Sequence, residues 1–147
     1  MHAELLKESL TSSLDTLAKI GEPPLREISD RTLQADMMSM NEILRNTPDD
    51  YILNLNENKE KKISITMKIY LNLGHVVHFV KMSLIGAVSL RMVELTMNHG
   101  LVPSSPLAFA YYGATLVSAG YVAEGCRCGM YYCCSPEQFF IFLYDNV

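Results

Sequence analysis

The sequence predicts an all-α protein built of antiparallel helical hairpins, and three observations lead there. Apolar residues recur at three- and four-residue steps through most of the 147 positions, the spacing that lines one face of an α-helix. Gly21 with Pro23-Pro24, then Gly100, then Gly120 interrupt that pattern where helices would end. Apolar residues make up 49% of the chain and charged residues 19%, so it can bury a core without disulfide or metal staples and is no disordered tail. Nine methionines and no tryptophan suit an adaptable helical interior.

Taken in order, residues 1–53 read as N-terminal helices. Leu5, Leu6, Leu10, Leu14 and Leu17 form the first stripe, which Gly21 and the proline pair stop. Leu33, Met37, Met40 and Leu44 form the second. Thr47-Pro48-Asp49-Asp50 reads as an N-cap, a proline in the first turn and acids facing the helix dipole. The polar run 54–62 is the expected linker. Ile63, Ile65, Met67 and Ile69 alternate as in a strand, but Ile69, Leu73, Val76, Val77 and Val80 continue at helical steps. A lone strand would have no partner, so one long helix is expected.

Further on, Ile85, Val88, Met92 and Leu95 share one helical face, Arg91, Glu94 and Asn98 another, and Asn98-His99-Gly100 ends the helix. Ser105-Pro106 opens the next helix and Gly120 closes it. Its small residues, among them Ala110, Gly113 and Ala114, allow a neighbouring backbone to approach, while Phe109, Tyr112 and Leu116 supply bulk on one flank. With Gly113 as the crossing glycine, Gly125 falls at the small position of the following helix, and Gly129 adds another small residue. Small crossing residues flanked by aromatics follow the logic of a TPR-like repeat, so residues 63–134 are expected to form a fragment of an α-solenoid. Ser135-Pro136-Glu137-Gln138 has capping-box spacing before Phe139, Phe140, Ile141 and Phe142 in an apolar tail, 135–147.

Charge is unevenly spread. Of the 28 charged residues, only Arg91, Glu94, Glu124, Arg127, Glu137 and Asp145 lie in residues 82–147. That stretch must pack against something: the first half, another copy, a neighbouring segment or lipid. A net charge of −4 and a pI near 5.5 argue against non-specific nucleic-acid binding. The Met1-His2-Ala3-Glu4 start lacks the basic region and apolar run of a signal peptide. All four cysteines lie within Cys126–Cys134, so no spread of pairs staples a secreted fold, and a cytoplasmic location is expected.

Catalytic motifs are missing: no nucleophile elbow, phosphate loop, zincin helix or dinucleotide fingerprint occurs. The chain is therefore read as non-enzymatic, with no cofactor. His75 and His78 would share a helix face, but no carboxylate or cysteine follows at ligand spacing, so they read as polar-face or core histidines. Cys126, Cys128, Cys133 and Cys134 are crowded into nine residues of expected helix, where four thiols cannot easily close a tetrahedron. They read as ordinary reduced cysteines, with Cys126 and Cys133 on one side. No metal site is assigned.

Three ordered stretches, Leu90 to Gly100, Ser104 to Gly113 and Gly120 to Gly125, with Thr66-Met67-Lys68-Ile69-Tyr70 upstream, carry a resemblance. They are similar to the helical segment that follows the ATPase module in large predicted-ATPase (AAA-type) signalling proteins, which join that ATPase to serine/threonine kinase, histidine kinase or cyclase domains. The resemblance covers roughly residues 48–130 and fades at Gly129, where the family's regular amphipathic helix gives way to the cysteine-rich stretch. It implies a TPR-like, non-catalytic segment that scaffolds or transmits a signal, any ATPase or kinase activity lying in a domain absent from this chain. It also implies an isolated or truncated relative.

The resulting expectation is a helical-repeat segment for protein–protein interaction, working through a face made of Arg91, Glu94, Phe109, Tyr112 and Leu116. Its partners would be other helical segments or a separate ATPase or kinase module, or a second copy through the apolar second half. The alternative is a small membrane-associated protein using residues 101–123, where prolines and the short apolar stretch weigh against a span.

Overall fold

The apolar stripes become the inner faces of helices. The computed structural model describes residues 2–133. They form α1 (His2–Lys19), α2 (Arg31–Asn46), α3 (Asp49–Leu53), α4 (Lys61–Val80), α5 (Ile85–His99), α6 (Ser105–Ser118) and α7 (Val122–Cys133). A 3-10 turn at Met82–Leu84 joins α4 to α5. The described chain is thus all-α, and the only β pairing among its described residues is an isolated parallel bridge, Glu57 with Leu101. Leu33, Met37, Met40 and Leu44 are all buried on α2, and Leu17 anchors α1, with Leu10 and Leu14 half-buried above it. The alternating run from Ile63 is helical throughout, as its continuation at helical steps requires. The capping-box stretch and the apolar tail lie outside the described residues, as does Cys134.

Helix α5 is the hub. Val88, Met92 and Leu95 are buried as expected, but so are Ala87, Ser89, Leu90, Val93 and Thr96. Helices α4, α6 and α2 all pack on it, while α1 packs on α4 and α7 on α6. The C-terminal end of α5 meets the start of α6, where the Thr96 and Ser105 hydroxyls bond at 3.0 Å. At the other end, a Cβ on Gly86 would lie 3.6 Å from Thr115 near the end of α6. Those two contacts fix α5 and α6 as an antiparallel pair.

The expected linker is not loose. The Leu101 amide donates to the Asn56 carbonyl at 2.8 Å, and the Asn58 amide donates to the Leu101 carbonyl at 2.7 Å. Asn58 Nδ2 adds a bond to the His99 carbonyl at 2.7 Å, closing the end of α5. Gly100 is required at that join: its φ is +101°, and a Cβ there would collide with the Asn56 carbonyl oxygen. Lys61 and Lys62, read as linker, are the first turn of α4. One hydrophobic core, from Leu17 to Tyr131, runs across the polar segment rather than stopping at it.

Thr47 also differs from its expected role. It is the C-cap of α2, with its hydroxyl donating to the Ile43 carbonyl at 2.6 Å, and Pro48 precedes α3 as a residue without a side-chain cap. Asp49 and Asp50 do occupy the first turn of α3. A side-chain cap is made by Asp30, whose Oδ1 accepts from the Thr32 and Leu33 amides at 2.7 and 3.3 Å at the start of α2.

The hairpin of α6 and α7 crosses where the small residues were expected to meet. A Cβ on Gly113 would lie 2.6 Å from the Gly125 carbonyl oxygen, and a Cβ on Gly125 would lie 2.6 Å from that of Gly113. The third glycine differs: a Cβ on Gly129 would meet nothing within 4 Å. Replacing Gly125 by alanine should therefore lower stability by about 1–3 kcal/mol through overpacking. Replacing Gly129 should raise it by about 0.5–1 kcal/mol through helix propensity alone. Urea unfolding of the two variants beside the parent checks the opposite signs.

Candidate functional site

Three of the five residues expected on a working face are interior. Phe109, Tyr112 and Leu116 are 2%, 0% and 1% exposed. The bulky flank of α6 faces the core: Tyr112 donates its hydroxyl to the Met37 carbonyl at 2.7 Å, and the Phe109 ring meets that of Tyr131 edge-on with centroids 5.1 Å apart. A helical stripe of aromatics defines a face, and here α2 and α7 cover it.

Arg91 and Glu94 stay partly exposed but belong to a bridging network. Arg91 Nε donates to Glu22 Oε2 at 2.7 Å, Nη2 to Glu22 Oε1 at 3.2 Å, and Nη1 to Glu94 Oε2 at 3.2 Å. Tyr70, fully buried on α4, donates to Glu22 Oε2 at 2.8 Å. Burial alone would raise the Glu22 carboxyl, but the bonds from Arg91 and Tyr70 outweigh it and hold the group below its ordinary value. Glu22 follows the turn at Gly21, and nothing in its local sequence announces the role.

A second network docks α7. Arg127 Nη1 donates to the Leu44 carbonyl and Nη2 to the Thr47 carbonyl, both at 2.6 Å, while Nε reaches Asp49 Oδ1 at 2.7 Å. Tyr131 donates to the same Asp49 oxygen at 2.6 Å. The guanidinium thus satisfies carbonyls at the C-terminal end of α2 and the acid opening α3. Glu124 pairs with Arg45. Every charge of the described second half (Arg91, Glu94, Glu124, Arg127) is therefore in an ion pair, and Arg91, Glu124 and Arg127 reach into the first half. The first half is what the charge-poor half packs against.

The open feature lies elsewhere. A groove of about 640 Å³ runs between the C-terminal halves of α4 and α6, lined by Gly74, His75, His78 and Phe79 on one side and Tyr111, Ala114, Thr115 and Ser118 on the other. The 3-10 turn adds Met82 and Ser83, α5 adds Ile85, and Ile28 closes one edge. Asn58, just before α4, bonds the His99 carbonyl that ends α5, so α4 runs antiparallel to α5 and hence parallel to α6, with Gly74 beside Tyr111. Phe79 is 76% exposed and Met82 59%, an unusual display for large apolar side chains on adjoining elements. The volume lies within the range of ligand sites.

The groove's polar groups are mostly occupied by their own helices. The Thr115 hydroxyl donates to the Tyr111 carbonyl at 2.9 Å and that of Ser118 to the Ala114 carbonyl at 3.0 Å. His75 Nδ1 donates to the Leu71 carbonyl at 2.9 Å. Among the described residues, no carboxylate lines the groove. Such a lining recognises by apolar contact and shape, with little apparatus for acid–base chemistry. His75 and His78 do share it, as their spacing required, whereas the neighbouring Phe79 and Met82 continue the same three- and four-residue steps and went unnoticed.

Among the described residues, no three His, Cys, Asp or Glu side chains gather as a metal site would need. Cys126 and Cys133 are exposed on one side of α7 and Cys128 is buried, all three as free thiols. Burial pushes the Cys128 thiol up to about 11, away from a reactive thiolate. None of the helices among the described residues is long and apolar enough to cross a membrane. Comparison of the chain with protein-family models, with curated proteins and with solved structures finds no match in any of the three.

Two predictions follow from the networks. Arg127→Ala should destabilise the fold by about 2 kcal/mol, because two helix-end carbonyls lose charge-assisted donors. Arg127→Lys should recover only part of this in the same urea unfolding, since one ammonium cannot span three acceptors. For Glu22, a depressed carboxylate stabilises the fold above the unfolded-state pKa of about 4.3, and that contribution is lost as pH falls through the lower folded value. Melting temperature should therefore decline on acidification below about pH 4.3, and Glu22→Gln should flatten the decline while lowering stability at pH 7.

Proposed function

We propose that the chain is a non-catalytic helical module that holds a segment of another protein, and that the groove between α4 and α6 is the docking surface. The observation that carries this reading is the exposure of Phe79 and Met82 beside a groove whose Thr115 and Ser118 hydroxyls are bonded to their own helix. Two large apolar side chains left open on adjoining elements at the edge of one groove are the mark of an interaction site. The five-residue face built on Phe109, Tyr112 and Leu116 is replaced by this groove, because those side chains are buried.

A TPR-like arrangement is part of the proposal. The α6–α7 hairpin crossing at Gly113 and Gly125, and the parallel pairing of α4 with α6, support it. The grip of α7 on the end of α2 is an addition, since a simple stack joins nearest neighbours only. The resemblance of residues 48–130 to the helical region of predicted-ATPase signalling proteins supports a partner in an ATPase or kinase module and a role in signal transmission. A cytoplasmic site of action goes with it, on the clustering of the cysteines in the sequence.

A photo-crosslinking residue at position 79 tests the reading. In cells it should give one discrete protein adduct, absent when the residue is placed at exposed Leu5 on α1. Filling the groove with Ala114→Trp should cut the yield about tenfold, the equivalent of about 1.4 kcal/mol. Equal yields from positions 79 and 5, unaffected by Ala114→Trp, would sink the proposal.

A further inference from the structure

The two banks of the groove offer different things. On the α6 bank, Ala114 and Ser118 are small and exposed, about one turn apart. On the other bank, Phe79 and the adjoining Met82 are large and exposed. An occupant can thus bring its backbone close to α6 while two large side chains grip its flank. From Tyr111 to Ser118 the groove follows seven residues of α6, roughly 10 Å or about two helical turns.

The backbone of the lining limits the form of that occupant. Along α4 and α6 the amides and carbonyls are spent within the helices. At the far end, the Val77, Ser83 and Val117 carbonyls accept from the Lys81, Ile28 and Gly120 amides at 2.9, 2.7 and 3.0 Å. An extended segment would find no open ladder to join. A polyproline-type segment has no internal hydrogen bonds and would lose backbone hydration against this lining without replacement. A helix arrives with its amides and carbonyls already paired.

Charge sets which side chains that helix carries. Among the described residues, the only ionisable groups of the lining are His75, His78 and Tyr111. Burial pushes the Tyr111 phenol up, so it stays neutral, and the one charge the lining can take is positive. Lys81 and Glu27, next in sequence to the lining residues Met82 and Ile28, are paired with each other at 2.7 Å. Both histidines are exposed on α4. A carboxylate set beside them meets complementary charge, whereas a lysine or arginine meets no opposite charge in the lining.

We infer that the partner segment is an amphipathic helix of at least two turns, with its apolar stripe in the groove and an aspartate or glutamate against His75 and His78. This rests on the docking reading of the groove and adds the chemical class of the partner.

The test pans a phage library of random 16-residue peptides on the full chain, with the Ala114→Trp chain as counter-target and Phe79→Ser as a second loss variant. Circular dichroism verifies the fold of each variant. Peptides that need the groove should share apolar residues at i, i+3 or i+4, and i+7, carry an acid, and gain helical signal on binding. Replacing that acid by its amide should weaken binding about three- to fivefold, and the loss should vanish on a chain carrying His75→Gln with His78→Gln. Groove-dependent peptides with apolar residues at every second position, rich in proline, or basic where the acid is expected would overturn the inference and leave the docking reading standing. So would an acid whose removal costs the same with and without the histidines. A selection yielding no peptide that tells the parent from Ala114→Trp would end both.

Discussion

Helix α5 has protein on nearly every side, and the arrangement of the other helices answers that constraint. Burying a helix all round requires that its polar side chains either bond inward or leave along one narrow stripe. Ser89 and Thr96 take the first course, bonding to the Gly86 and Met92 carbonyls of their own helix. Arg91 and Glu94 take the second, and Arg91 is stable in its half-buried position only because Glu22 meets it. The turn after α1 must therefore deliver a carboxylate to α5, which brings α1 against α4 and puts the Tyr70 hydroxyl within reach. One helix's need for cover thus fixes elements up to seventy residues away in sequence.

The helices themselves were largely legible. Period, glycine stops and the pairing of Gly113 with Gly125 follow from local spacing, because a helix repeats its geometry every few residues. What spacing cannot say is which neighbour covers a face. Phe109, Tyr112 and Leu116 do share a flank, but whether that flank meets a partner or the core depends on α2 and α7, and no local pattern encodes their approach. Glu22 and Tyr131, and the bonds that Asp49 makes to α7, were missed for the same reason: each acts through a partner 69 to 82 residues away. The polar run 54–62 misled in another way. Asparagines signal turns and linkers by composition, yet Asn56 and Asn58 use backbone and amide groups to close the end of α5.

The groove between α4 and α6 combines features that rarely coexist at an idle surface. The Thr115 and Ser118 hydroxyls are turned back on helix carbonyls, its rim carries two large apolar side chains, and its floor is held by the buried helix α5. A rigid floor with an apolar rim favours binding without reorganisation, so little ordering entropy opposes a partner. Nothing comparable surrounds the cysteines of α7, where the one buried thiol is held protonated and the exposed ones flank an ordinary helix face.

The clamp of Arg127 on the end of α2 has a consequence in time. Leu44 and Arg127 are 83 residues apart, and a ribosome adding about 5–20 residues per second needs about 4–17 seconds to make that stretch. During this interval α2 has its stripe but not the cation that closes its last carbonyls, and Tyr112 has not arrived to reach Met37. The nascent N-terminal helices must therefore wait, partly open and apolar, for the part of the message that completes them. Their vulnerability to chaperone capture or to misassociation is set by the order of synthesis as much as by the finished contacts.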